Sequence, residues 1–153
     1  MLKITIDTRE QMPWSFPPHL ASVQRGTLKS GDYALDGDGK NFAIERKSLN
    51  DLVGTLSTGW ERFERELVRM QTFPVRCIIV EGSWSQVLDH EYEAPLVQPN
   101  FLRSRICNLV MDDVHVLFAD NAQYAAFLAW GVLKARWDRI VGEIFKGKGN
   151  DEN

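Results

Sequence analysis

Apolar and polar residues alternate at the start of the chain, where Leu2, Ile4 and Ile6 are interleaved with Lys3, Thr5 and Asp7. A period of two predicts a half-buried strand ending in an acid. The next segment, QMPWSFPPHL, is rich in proline and aromatics and reads as a loop, with a short strand expected around Gly26 to Lys29. GDYAL and NFAIERK then flank DGDGK, whose two Asp-Gly pairs are a strong hairpin signal. From Ser48 the period becomes helical, and Asp51 three residues on gives a start resembling a capping box. Trp60, Phe63, Leu67 and Met70 mark a second helix. VRCIIVEG reads as a short apolar strand and SWSQVLDH as a short helix or turn. A helix around Asn100 to Met111, the strand VHVLFAD and a long helix from about Asn121 to Val141 complete the series.

That last helix has Ala122, Ala125, Ala126, Ala129, Val132, Leu133, Trp137 and Ile140 on its expected apolar side. KGKGNDEN has nothing apolar to bury; a disordered polar tail is expected over residues 142–153. Residues 1–141 then make one α/β domain, its strands first paired as a meander and later alternating with helices.

Composition adds exclusions. A chain of 153 residues with 44% hydrophobic content can bury a core without staples. No apolar run approaches the roughly 18 residues a membrane span needs, and MLKITIDTRE lacks the apolar core of a signal peptide. A cytoplasmic, non-secreted protein is expected. Cys77 and Cys107 have no C-x-x-C partner and His19, His90 and His115 are scattered, which argues against zinc and reads both thiols as core residues. The net charge of -3 lacks the basic excess of general nucleic-acid binders. Carboxylates that hold a divalent cation, however, count as negative in that sum and reverse their effect on phosphates once the cation binds.

Such carboxylates have a candidate place. Glu45 and Lys47, two apart in a strand, share a face, and Arg46 points the other way. If the hairpin closes on Asp38-Gly39 as a two-residue turn, Asp32 lies opposite Glu45 with Cβ atoms about 5 Å apart; closure on Asp36-Gly37 would separate them. Two carboxylates that close repel unless a cation lies between them. Oxygen ligands without histidine or thiolate suit Mg²⁺ or Mn²⁺. A lysine beside the metal can orient or deprotonate a water, or offset phosphate charge, and Asp7 at the end of the first strand is positioned to join. The wiring is that of a metal-assisted phosphodiester hydrolase. Taken alone the tripeptide is common: Asp32 also fits a turn, Asp51 a helix cap, and Arg46 and Lys47 a solvated strand end.

The ordered set Gly31-Asp32, Glu45-Arg46-Lys47 and Asp51 resembles the GD-x(n)-ERK-x3-D signature of the XPF family of structure-specific endonucleases, a branch of the restriction-endonuclease-like fold. IDTRE resembles the family's D-x-R-E, SLNDLVGTL its helix after ERK, RFERE its R-F-x-E-Q segment, CIIVEG a later strand, and VHVLFADNAQYAAFL its closing strand and helix. The likeness runs over about residues 2 to 140. It implies a restriction-endonuclease-like core, a mixed central sheet flanked by helices, with Asp32, Glu45 and Asp7 on Mg²⁺ or Mn²⁺ and Lys47 as the catalytic lysine. Glu10, Arg46, Asp51 and Arg62 are supporting candidates; Arg62 follows a two-residue insertion, and Glu66 stands where the family has Gln.

The implied substrate is branched, flap or junction DNA in repair or recombination. The alternatives are a Holliday-junction resolvase-like or restriction-like enzyme, or a non-catalytic DNA-binding scaffold. No helix-hairpin-helix pair follows the last helix, so specificity is expected from the nuclease surface, a partner or self-association. Trp130 and Trp137 on the final helix suggest a homodimer there, and Trp14 and Phe16 are candidates either for base stacking or for packing on the core.

Overall fold

The N-terminal strand β1 (Leu2–Asp7) is buried on both faces, with Thr5 and Asp7 covered as well as Leu2, Ile4 and Ile6. Helices on both sides of the sheet are the reason. The computed structural model describes residues 1–148. Among these, β1 joins β2 (Ala21–Gly26), β3 (Tyr33–Leu35), β4 (Ile44–Ser48), β5 (Arg76–Glu81) and β6 (Val114–Phe118) in one mixed sheet of order β2-β1-β3-β4-β5-β6. The helices are α1 (Leu49–Leu56), α2 (Trp60–Arg69), α3 (Trp84–Leu88), α4 (Pro99–Met111) and α5 (Ala122–Lys148). None is long and apolar enough to cross a membrane.

The expected meander holds only from β1 through β3 to β4, which pair antiparallel. β2 instead runs parallel to β1, from Leu2 opposite Ala21 to Asp7 opposite Gly26. Parallel neighbours need a crossover of about a dozen residues or more, and the aromatic loop from Thr8 to Leu20 supplies it. β2 is an edge strand that buries Ala21 and leaves Val23 exposed, so it carries no alternation. That is why periodicity placed this strand too late, at Gly26 to Lys29.

Two cores sandwich the sheet. On one face Ile4, Ile6, Tyr33, Ile44 and Ile79 pack against Ala125, Ala129 and Leu133 of α5, whose small residues let the helix close on the strands. On the other, Ala34, Ile78 and Val80 pack against Leu52, Leu56, Phe63 and Leu102. Cys77 belongs to the first core, whereas Cys107 is exposed on α4. Trp137 is 47% exposed rather than on the core side. The last helix also runs past Val141, through Ile144 and Phe145 to Lys148. No proline stops it, and Gly142 costs a helix interior only about 1 kcal/mol. Residues 149–153 of the expected tail lie outside the described residues.

β3 and β4 pair with Tyr33 opposite Ile44, the register that a turn centred on Asp38-Gly39 would impose. The connection is nevertheless a longer loop, from Asp36 to Ala43. It is held by Asp38, whose carboxylate accepts two hydrogen bonds from Arg136 of α5, at 2.8 and 3.0 Å, and one from Asn41 at 3.0 Å. Burial acts to raise the Asp38 carboxyl, but these bonds and the Arg136 charge hold it below its usual value. Asp38→Ala is expected to cost about 2 kcal/mol, because it leaves a half-covered guanidinium unpaired; urea unfolding at neutral pH measures this, and an unchanged midpoint would contradict it.

Candidate active site

Alternation along β4 sends Glu45 and Lys47 toward α1 and α2 and Arg46 toward α5. Asp32 is tied to the same strand: its N–H donates to the Ile44 carbonyl, and its Oδ2 accepts the Arg46 N–H, both at 2.8 Å. The preceding Gly31 has φ +79°, and a Cβ there would fall 2.6 Å from the Ala43 Cβ. Only glycine lets the chain pass that close to β4. Asp32 and Glu45 thus line one cleft of about 270 Å³, together with Arg9, Lys29, Glu66 and Arg69. A second cleft, holding Lys47, Asp51 and Arg62, adjoins it across Glu66.

Inside the first cleft the charges are poorly compensated. Lys47 Nζ lies 2.9 Å from Glu45 Oε1, whereas Glu45 Oε2 is buried with no hydrogen-bond partner. Burial pushes the Asp32 carboxyl up to about 6, with Glu10 and Glu45 adding to the rise and the Arg46 N–H and Lys47 opposing it. Burial pulls the Lys47 ammonium down, but Glu45 outweighs it, with Glu66 and Asp32 helping, so the amine stays charged.

A buried oxygen without a donor beside a second destabilised carboxylate fits a hard divalent cation. Among the described residues no three His, Cys, Asp or Glu side chains gather at metal-binding distance. That is compatible with Mg²⁺, which keeps several waters and takes one or two carboxylates plus substrate phosphate.

Asp7 does not join this pair. Fully buried, it accepts from the Arg9 N–H (2.9 Å), the Arg9 side chain (2.7 and 3.2 Å) and the Leu28 N–H (2.8 Å). Burial alone would raise its carboxyl, but these bonds and the Arg9 charge hold it at about 2. Both oxygens are used locally, and Asp7 acts as a brace for the Arg9 turn.

Glu10 also faces elsewhere, accepting from the Tyr33 hydroxyl at 3.0 Å and from Arg46 Nη1 at 3.2 Å. Arg46 further bonds Glu81 and the Met12 carbonyl and lies 5.1 Å from the Trp14 ring centroid. Trp14 Nε1 donates to Glu81 at 2.7 Å. Trp14 stacks on Tyr33 at 4.4 Å and Phe16 packs edge-on to the same ring, so both aromatics are buried and neither is free to stack on a base.

Asp51 donates its N–H to Ser48 Oγ, the cap of α1, and its exposed side chain borders the second cleft. Arg62 is 80% exposed, 3.7 Å from Glu66. Lys29 and Arg69 escaped the motif reading. Arg69 had a signal, standing seven residues after Arg62 and hence on one helix face; Lys29 had none.

A family model described as the ERCC4 domain matches residues 6–129. XPF from Aeropyrum pernix superposes with a TM-score of 0.68 at 20% identity, covering 88% of this chain and 61% of that one. The same protein in complex with DNA gives 0.69 at 20% identity, covering 91% and 66%. The sheet and its helices are therefore those of the XPF nuclease fold, restriction-endonuclease-like as the resemblance implied. A Methanocaldococcus jannaschii protein named as an ATP-dependent RNA helicase is 27% identical over 128 residues, 83% of this chain. The chain spans only 15% of that relative's length and less than two thirds of the solved chains.

The raised Asp32 carboxyl makes a prediction for metal-free protein. Its folded value lies above the unfolded one, near 4, so the folded state holds the extra proton and stability falls as pH rises from about 4 through about 6. Asp32→Asn is expected to remove that fall and to be more stable than the parent by about 2 kcal/mol at pH 8. Urea titrations in chelator at pH 4.5 and 8 check the sign; a parent as stable at pH 8 as at pH 4.5 would refute it.

Proposed function

Because this chain belongs to the ERCC4 domain family, we propose that it is a divalent-metal-dependent DNA endonuclease acting at branched, flap or junction DNA in repair or recombination. The observation that carries the reading is that Asp32 and Glu45 line one cleft, with Lys47 of the adjoining cleft 2.9 Å from Glu45 Oε1 and the buried Glu45 Oε2 lacking any partner. DNA as substrate is supported by the family and by the DNA complex of the Aeropyrum pernix protein.

In this reading Asp32 and Glu45 hold Mg²⁺ or Mn²⁺. When bound, the cation would supply positive charge toward a phosphate over the two carboxylates and would lower the pKa of a water so that hydroxide is available as nucleophile. Asp32 is pre-positioned by the Arg46 N–H, so the acid does not reorganise during the reaction. Lys47 is held by Glu45 between the two clefts, where its ammonium offsets charge building on the phosphoryl oxygens. Arg46 stays on the far face and keeps the strand in register.

Self-association is the second part of the proposal. α5 leaves Phe127, Trp137, Ile144 and Phe145 exposed along it, an unusual apolar load for a free helix. A second copy covering this face gives a homodimer. Sedimentation of the parent is expected to show a dimer that Phe127→Asp with Trp137→Asp converts to a folded monomer; a monomeric parent at tens of micromolar would remove the dimer from the proposal.

For the activity itself, labelled flap, fork, four-way-junction and plain duplex DNA are incubated with Mg²⁺ and with chelator. Metal-dependent cuts near a branch are expected, with Asp32→Asn and Lys47→Ala each lowering the rate at least about 100-fold without loss of fold. Binding without cutting on every substrate would move the protein to the scaffold class.

A further inference from the structure

The cleft that holds Asp32 and Glu45 has cationic lips. Lys29, on the loop between β2 and β3, and Arg69, at the end of α2, both line it, both are exposed, and neither has a carboxylate partner among the described residues. Arg9, the third cation there, is already committed to Asp7 and the Leu28 carbonyl. Two unpaired cations facing each other over an acidic floor are not needed to hold the fold.

Their position along α2 gives them an order. Arg62, Glu66 and Arg69 lie on one face of that helix, and Glu66 borders both clefts, so the two clefts form a continuous groove. Arg69 and Lys29 stand at one end, Asp32, Glu45 and Glu66 in the middle, and Lys47 and Arg62 at the other end. Arg62 to Arg69 spans about 10 Å of helix axis. Along a duplex axis one strand rises about 3.4 Å per phosphate, so a groove of this length accommodates a few consecutive phosphates. Cation, acid and cation therefore follow one another over a length that holds a few consecutive phosphates. In a chain with net charge -3 the attraction for phosphate must be local.

We propose that Lys29 and Arg69 form a backbone-phosphate seat at one end of this groove. A single nucleic-acid strand then runs along α2 from Arg69, past Asp32 and Glu45, to Lys47 and Arg62, and a phosphate between the two cationic ends is presented to the acids. The assignment rests on the nuclease reading for the role of the central phosphate. The seat itself is a statement about binding and is tested without turnover.

The full chain carrying Asp32→Asn, which stops cutting, is titrated onto a fluorescent DNA fork in Mg²⁺ between 50 and 200 mM salt, with anisotropy as the readout. Adding Lys29→Gln and Arg69→Gln is expected to lower the slope of log K against log salt by about 2 and to weaken binding roughly tenfold near 0.1 M salt. Arg139→Gln with Lys146→Gln removes the same charge from α5, on the opposite face of the sheet, and is expected to leave the slope unchanged. An unchanged slope in the first double variant, or an equal loss in the second, overturns the seat. An unmutated chain that cuts nothing, in a series where the slope still depends on Lys29 and Arg69, sinks the nuclease reading and supports the seat.

Discussion

The arrangement hangs on Arg46. Its guanidinium reaches Glu10 from the loop after β1, Glu81 from the end of β5 and the Met12 carbonyl, and it lies against Trp14. A cation covered to this degree is held only because its donors are matched by carboxylates; removing either side leaves a buried charge unpaired, at several kcal/mol. Once Arg46 is fixed toward α5, strand alternation leaves Glu45 and Lys47 no choice but the opposite face. The Arg46 N–H completes the arrangement by gripping Asp32 from the neighbouring strand. One residue thus orients both acids and the lysine without entering the cleft.

What sits in that cleft is arranged against stability. Asp32 and Glu45 are both half-covered acids, one with its carboxyl driven up by burial and the other with an oxygen that accepts nothing. Asp7 shows that this is not forced by the fold. A few residues away in the same sheet, a carboxylate buried more deeply is fully satisfied by Arg9 and Leu28 and is held at about 2. The two aspartates thus differ in compensation: Asp7 is met by Arg9 and the Leu28 N–H, whereas the Asp32 side chain, among the described residues, accepts only from the Arg46 N–H.

The opposite face serves a different purpose. α5 spans the sheet with a seam of small residues, and Arg136 clamps the β3–β4 loop through Asp38. This closes the connection between the two strands and holds the register in which Tyr33 faces Ile44. The same helix carries its apolar band into solvent, beyond the edge of its own core. The sheet therefore lies between a face that carries the acidic cleft and a face with apolar surface left to bury.

The periodicities of the sequence determined β1, β4 and the helices α1, α2, α4 and α5, because each carries a face of apolar residues at a regular spacing. The side on which Glu45, Arg46 and Lys47 fall was legible for the same reason: alternation is a local property of a strand. The partners were not. β2 has no alternation, and its parallel pairing with β1 depends on a crossover loop whose course is set by Trp14 and Phe16 packing on Tyr33. The fate of Asp7 depended on Arg9 and Leu28 donating to it, and the cationic lips of the cleft on a loop and a helix end meeting across it. Local spacing fixes which face a side chain takes; which charges meet on that face is decided only when distant segments pack, because hydrogen bonds and ion pairs act through space and not along the chain.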